Sequence, residues 1–243
     1  MSMRIRLALM VLLSVAMFVT AAGAGAVYAE SDAGTRLYHV VVTNLTTGQP
    51  VTPPVLVTHH RLAHVFEVGQ PASFGVKEVA ENGNVPALVD ELNNNPRVSS
   101  VAVAVAGDPP PLLPGQSVSA EIEGAPDAKF FSYISMLICT NDGFTGLDAV
   151  RLPKHIGDTT TFFTDSYDAG TERNTEDFAD LVPPCPALTG VDTDKEGSGT
   201  SNPALAEGGV IAHHAGIQGH ADLQPAIHGW TDPVVKVEIT RIR

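Results

Sequence analysis

The sequence predicts an all-β protein built as an antiparallel sandwich or barrel. Three observations carry that expectation. Apolar residues recur with period two through most of the chain, Pro and Gly clusters separate these runs, and helical periodicity is confined to two short stretches.

The runs can be taken in order. Tyr38-His39-Val40-Val41-Val42-Thr43-Asn44 is β-branched and ends in Thr46-Thr47-Gly48, a turn signal. Pro71 to Glu81 fits a short helix with Val76, Val79 and Ala80 as its apolar stripe and Gly83 just past its end. Pro86 stands at a first-turn position of a second helix ending near Asn93-Asn94-Asn95. From Val98 to Ala106, Val101, Val103 and Val105 share one face. Ser117 to Glu123 alternates with Val118, Ala120 and Ile122 inward. Phe130 to Cys139 is apolar on both faces, the pattern of a central strand. The last ten residues alternate again, with Val235, Val237 and Ile239 inward. Between Thr189 and His228 the pattern lapses into Gly, Ser, Asp and His, which reads as a long surface loop or insertion inside one domain, residues 30–243.

Arg4 and Arg6 precede an uncharged, mostly apolar stretch, Leu7 to Val19. A small-residue run, Ala21 to Ala26, and Val27-Tyr28-Ala29 follow it. This is the layout of a secretory signal peptide over residues 1–29, with Glu30 opening the mature chain. The alternative is an uncleaved anchor, because Leu7–Tyr28 is long enough to span a bilayer. Either way the expected location is extracytoplasmic: secreted, periplasmic or at the cell surface. Export favours a bridge between Cys139 and Cys185, the only two cysteines, over two free thiols.

The chain carries 14 Lys and Arg against 27 Asp and Glu; the first 29 residues hold two Arg and no acid, leaving a formal charge of −15 on the remainder. Such an excess works against binding nucleic acid or anionic lipid, both of which select cationic surfaces. The common catalytic signatures are absent: no Gly-x-Ser-x-Gly, no His-Glu-x-x-His, no Walker loop. Asp192-x-Asp194-x-Glu196-Gly197 begins like an EF-hand loop, but its twelfth position is Pro203, which cannot supply the bidentate carboxylate.

Two residue sets remain as candidates for chemistry. His59, His60 and His64, with His213, His214 and His220 as a second group, have side chains that suit a transition metal. A strand reading of Val55–Thr58 would let only some of the first three converge. The acids are more suggestive. Asp142 follows the central strand in a Gly-flanked turn, Asp168 and Glu172 bracket Gly170 in another, and Glu123 ends an alternating strand. Acids gathered from several loops suit calcium, which takes six to eight oxygens. The competing reading is a pair of Asx-turns in which Asp142 and Asp168 bond their own backbone. Spacing alone leaves both readings open.

The blocks Tyr38–Thr46, Thr52-Pro53-Pro54-Val55, Val65–Ser73, Val79–Asn84, Leu113-Pro114-Gly115-Gln116, Thr140–Leu147 and Tyr167–Glu172 together resemble the spondin N-terminal (F-spondin) domain family, over about residues 36–243. The resemblance implies an antiparallel β-sandwich similar to a C2 domain, with one or two short helices and a calcium ion held by loop acids. Matched position by position, it implies Asp142, Asp168 and Glu172 as ligands; Glu172 departs from the Asp of animal members. It further implies Glu123 as an upstream ligand, with Glu121 as the lesser substitute. The expected function is therefore a secreted, non-enzymatic, calcium-binding module for adhesion or recognition of a protein, matrix or cell-surface partner. The animal proteins' roles do not transfer directly, since no thrombospondin-type repeat is present. The alternatives are a metal-dependent hydrolase using His59, His60 and His64, or a purely structural envelope protein.

Overall fold

The computed structural model describes residues 34–243 except 106 and 108–110. The expected signal peptide, residues 1–29, and Ala106 at the end of the Val98–Ala106 run lie outside the described residues. The described part forms one compact unit.

Ten strands build two antiparallel sheets. The four-stranded sheet has the order β4 (Ser117–Gly124), β1 (Arg36–Asn44), β10 (Val235–Arg241), β7 (Thr159–Thr164). The six-stranded sheet runs β3 (Val98–Val103), β2 (Val55–His59), β5 (Phe130–Met136), β6 (Gly143–Arg151), β8 (Ser166–Asp168), β9 (Ala212–His213). The last strand lies in the middle of its sheet, with Tyr38 opposite Arg241 on one side and Val235 opposite Thr164 on the other. The expected fold class, an antiparallel β-sandwich with few short helices, is the one observed.

Period two explains the sandwich interior. Val40 and Val42 of β1, Val118 and Ile122 of β4, and Val235, Val237 and Ile239 of β10 turn inward and are buried. They meet Leu56 of β2 and Phe131 and Tyr133 of β5. The intervening residues of β2 and β5 are apolar too, and they point the other way. Val55, Val57, Ile134 and Met136 form a second core with Val76, Val79 and Ala80 of α1 (Phe74–Asn82) and Leu88 and Leu92 of α2 (Val85–Asn93). The six-stranded sheet is thus covered on both faces, which is why β5 carries apolar residues on both of its faces.

Each helix has its own stop and start. Ser73 caps α1 by accepting a hydrogen bond from the Val76 N–H at 3.2 Å, so the helix opens at Phe74 rather than Pro71. Gly83, at φ 63°, closes it in the left-handed conformation. Pro86 occupies the first turn of α2.

Two expectations need amendment. The central strand stops at Met136, not Cys139, because the Thr140 hydroxyl donates to the Leu137 carbonyl at 2.6 Å and turns the chain into β6. The 189–228 stretch is more than a surface loop. It adds β9 to the edge of the larger sheet, forms α4 (Pro225–His228), and sinks Ile211, Ile217 and Leu223 into the outer core. Few apolar residues suffice there because polar groups anchor the rest. Glu176 accepts from the Gln218 N–H at 2.6 Å and the His220 N–H at 2.5 Å, while its carbonyl takes the Asp222 and Leu223 N–H groups.

Cys139 and Cys185 form a disulfide, as favoured from sequence. It joins the turn after β5 to the start of α3 (Cys185–Thr189). Among the described residues no helix is long and apolar enough to cross a membrane.

Phe144 marks where this core meets the loops. It is fully buried, 5.1 Å edge-on from Phe66 and 5.5 Å from Tyr167 between ring centroids. Neighbouring Gly146 has no room for a side chain: a Cβ there would lie 2.6 Å from the Tyr133 carbonyl oxygen and 2.7 Å from the Phe66 ring. With no slack around it, Phe144→Ala should destabilise the fold by ~3–5 kcal/mol. Urea denaturation measures this, and a loss below about 1 kcal/mol would mean that the aromatic cluster relaxes to fill the gap.

Candidate functional site

Three consecutive side chains after β5 perform different tasks. The Thr140 hydroxyl accepts from the Gly143 N–H at 2.8 Å and closes its own turn. The Asn141 carboxamide oxygen accepts from the Thr175 N–H at 3.0 Å. One oxygen of Asp142, Oδ2, accepts from the Thr171 N–H at 2.7 Å, the Glu172 N–H at 3.0 Å and the Thr171 hydroxyl at 3.1 Å. Asn141 and Asp142 thus pin the 171–176 segment from about thirty residues away. Asp142 therefore does not form the Asx-turn with its own backbone that one reading allowed.

Asp168 does form one. Its Oδ1 accepts from the Gly170 N–H at 2.7 Å, and its Oδ2 takes the Asn174 amide at 2.6 Å. Gly170 has φ 69°, and a Cβ there would meet the Val210 backbone nitrogen at 2.6 Å, so the turn requires glycine. The pairing of Gly143 with Asp168 between β6 and β8 brings this turn beside Asp142.

The second oxygen of Asp142 is the anomaly. The residue is 0% exposed, yet Oδ1 has no hydrogen-bond partner. Burial, reinforced by the Asp168 charge, pushes the Asp142 carboxyl up to about 7 despite its three donors. Glu172 is also buried and pushed up to about 7, by burial first and then by the charges of Glu81 and Asp142. The Asn202 N–H at 2.7 Å on its Oε1 opposes that rise.

Asp142, Asp168 and Glu172 thus share one pole of the sandwich, whereas Glu123 does not join them. It lies opposite Leu37 at the other end of β1, exposed, with its carboxylate 3.0 Å from the Arg243 guanidinium. Glu121, one face-repeat earlier on the same exposed edge, is equally remote. The physical reason is direction: β4 runs antiparallel to β1, so its last residues end at the pole where β1 begins. Among the described residues no group of three or more His, Cys, Asp or Glu side chains is arranged to hold a metal ion.

The donor set at Asp142 nevertheless fits a hard cation in kind. It offers an unpartnered anionic oxygen and a second carboxylate at Asp168, both hard oxygen donors. Glu81, one residue before the end of α1, is also buried, and the sequence assigned it no role beyond closing the helix. Its isolation among apolar neighbours at Val79 and Ala80 was the available signal.

The histidines do not converge. His59 is buried and held neutral, its pKa lowered by burial. Its Nδ1 faces the His60 carbonyl at 3.0 Å and so carries the hydrogen, which leaves Nε2 to accept from the Ser132 hydroxyl at 2.9 Å. Asp148 stands 3.2 Å from that hydroxyl and 2.5 Å from His64 Nδ1. This Ser–His–Asp grouping is a core network: Ser132 is 0% exposed and accepts from the Ala149 N–H. His60 turns to Asp127 at 3.4 Å, while His213 packs on Tyr167 and His214 on Trp230. Asp192, Asp194 and Glu196 lie exposed, and Lys195 between them pairs with Asp177 and Asp222.

No curated protein matches the chain. A family model does: residues 51–180, more than half of the chain, match the model described as Spondin_N. That span contains α1, the central strand and both acid-bearing turns, with Asp142, Asp168 and Glu172 among its residues. The chain belongs to the spondin N-terminal domain family.

Proposed function

We propose that the protein is an exported, non-enzymatic recognition or adhesion module whose loop pole holds calcium through Asp142, Asp168 and Glu172. The observation that carries this reading is the buried, unpartnered Oδ1 of Asp142, on a carboxylate that also feels the charge of Asp168. A buried anion without a partner is costly, and a hard cation is the partner that carboxylate oxygens select. The family membership and the disulfide support the extracellular setting. A protein, matrix or cell-surface ligand is the expected partner, and the acidic surface argues against nucleic acid and anionic membranes.

The residues of the pole do two things for such an ion. Asp142 and Asp168 supply charge, and the backbone N–H groups of Thr171 and Glu172 fix the Asp142 carboxylate so that its other oxygen points away from them. Calcium, when bound, would supply positive charge beside Asp142 and Asp168. The hydrolase reading has no comparable support, because the His59–Ser132 pair is sealed in the core.

The test is a melting scan of the secreted protein in chelator and in ~2 mM calcium, the range in which extracellular modules bind. Calcium should raise the melting temperature; at a hundredfold excess over Kd, linkage gives about 2.7 kcal/mol. An unchanged melting temperature would sink the calcium reading.

A further inference from the structure

A net negative charge weighs against an anionic partner only where it is evenly spread, and here it is not. Val98, His59, Phe130 and Arg151 lie side by side across β3, β2, β5 and β6, as the terminal rung of the larger sheet. The Thr58 hydroxyl donates to the Glu123 carbonyl at 2.6 Å, which places that rung at the end where β1 begins. Arg97, Arg61 and Lys129 lie just past the rung on three strands, Arg151 stands in it, and Lys154 follows three residues on. All five are exposed. With strands about 4.8 Å apart, they line a rim of about 14 Å.

None of the five makes an ion pair or a side-chain hydrogen bond among the described residues; Arg151 instead lies 5.2 Å over the Phe130 ring. With Arg36, Arg241 and Arg243 at the same end, they make up eight of the twelve Lys and Arg in residues 34–243. Of the acids there, Glu123 holds Arg243 at 3.0 Å and Asp127 faces His60 at 3.4 Å. Asp158 accepts from the His155 N–H at 3.1 Å, and Glu121 stands one face-repeat back along β4. Two turns at this end carry a large aliphatic residue each. Leu62, next to Arg61, is 68% exposed in the turn closed by the Ala63 N–H on the His60 carbonyl. Ile156, two residues after Lys154, is 67% exposed in the turn closed by the Asp158 N–H on the His155 carbonyl. Neither side chain belongs to either core, and Leu62 sits at φ 72°, a backbone conformation uncommon for leucine.

We propose that this end of the sandwich docks on an anionic phospholipid surface: the five cations meet headgroup phosphates, and Leu62 and Ile156 enter the interface beside them. Cations alone would suit any polyanion. Exposed aliphatic side chains set among cations are what a headgroup layer accommodates and a hydrated polymer does not. The inference goes beyond the proposed function and does not need its calcium, because the acid-bearing turns lie at the other pole.

Cosedimentation of the secreted protein with phosphatidylcholine vesicles, with and without phosphatidylglycerol, tests this. Chelator is present throughout, so that no calcium bridges acids to lipid and a failure of the calcium reading leaves the result untouched. Binding should require phosphatidylglycerol and weaken as salt screens it. A cation near the surface is worth about a fivefold change in the partition coefficient, so Arg97→Gln with Lys129→Gln should lower it about 25-fold. Leu62→Asn with Ile156→Asn should lower it as well, and asparagine tolerates the left-handed backbone at position 62. Lys236→Gln, towards the other end of β10, should leave it unchanged. Melting confirms that each variant folds. Binding that ignores phosphatidylglycerol overturns the site, and so does an equal loss in Lys236→Gln, which would trace the attraction to net charge alone. Binding that survives the loss of both aliphatic side chains would mark a site for a polyanion chain and overturn the lipid reading.

Discussion

Asp142→Asn should make the calcium-free protein more stable at pH 8 than the wild type, while abolishing its response to calcium at that pole. The side chain is isosteric, and its carbonyl oxygen can keep the three donors from Thr171 and Glu172. Its amide would occupy the place of the unpartnered Oδ1 and remove the charge that opposes Asp168. The sign follows from linkage. Burial and the Asp168 charge raise Asp142 in the folded state to about 7 from its ordinary value of 3.8. The native protein therefore holds a proton that the unfolded chain releases, and stability falls as pH rises from about 4 towards about 7. At about 1.4 kcal/mol per pKa unit, the loss has an upper bound near 4 kcal/mol. Glu172, raised to about 7 as well, acts in the same direction. Urea denaturation in chelator at pH 5 and pH 8 tests this: the wild type should lose stability across the interval and the variant should lose less. A variant weaker than wild type at pH 8 would show that the carboxylate is not strained there. The opposition between stability and ion binding is of the kind expected where a site holds groups that the fold alone would not choose.

Loss of the Cys139–Cys185 bridge should be comparably severe. Both residues are 0% exposed, and the separation of 46 residues corresponds to ~3–4 kcal/mol on the chain-entropy model. The effect should be uneven. Cys139 is also held through its backbone, donating to the Gln49 side-chain oxygen at 3.0 Å and accepting from its amide at 3.3 Å. Cys185 opens a five-residue helix that is otherwise held by Leu188 packed on the outer core and by the Thr189–His228 contact. In a Cys139→Ala, Cys185→Ala variant, hydrogen exchange should quicken first over residues 178–223, with β1, β4 and β10 still protected. Uniform loosening of both sheets, or an unchanged denaturation midpoint, would contradict that order.

The sandwich was legible because its inner face obeys a single rule. In β4 and β10 Val118, Ile122, Val235, Val237 and Ile239 alternate inward and are buried, with Ala120 in step at the margin, and the residues between them meet solvent or lie partly exposed. The rule fails where a strand serves another purpose. In β6, Gly143 and Gly146 make room for Thr140 and Phe66, and Asp148 accepts from the Val65 N–H, so no alternation survives to be read. Strand β8 is three residues long, too short for any period. The acidic turns announced themselves through Gly170 and Gly143, which local backbone geometry demands. Glu123 misled because spacing along a strand says nothing about which pole the strand ends at; that depends on β4 pairing antiparallel with β1. Glu81 was hidden for the converse reason, since a helix end meets the turn at Glu172 only through tertiary packing. The 189–228 stretch looked superficial because its anchoring is polar, centred on Glu176 rather than on an apolar stripe.

The central position of β10 has a consequence for display. The Leu37 N–H donates to the Arg243 carbonyl, and the Ile242 N–H donates to the Leu37 carbonyl, so both ends of the domain leave from one pole, beside Glu123. Asn44, seven residues further along β1, marks the opposite pole, ~23 Å away at about 3.3 Å per residue. There Gln49 joins the turn that carries Cys139, and Asp142 follows three residues on. Both ends of the sandwich thus open at one pole and the acid-bearing turns lie at the other, so the length of the strands separates them.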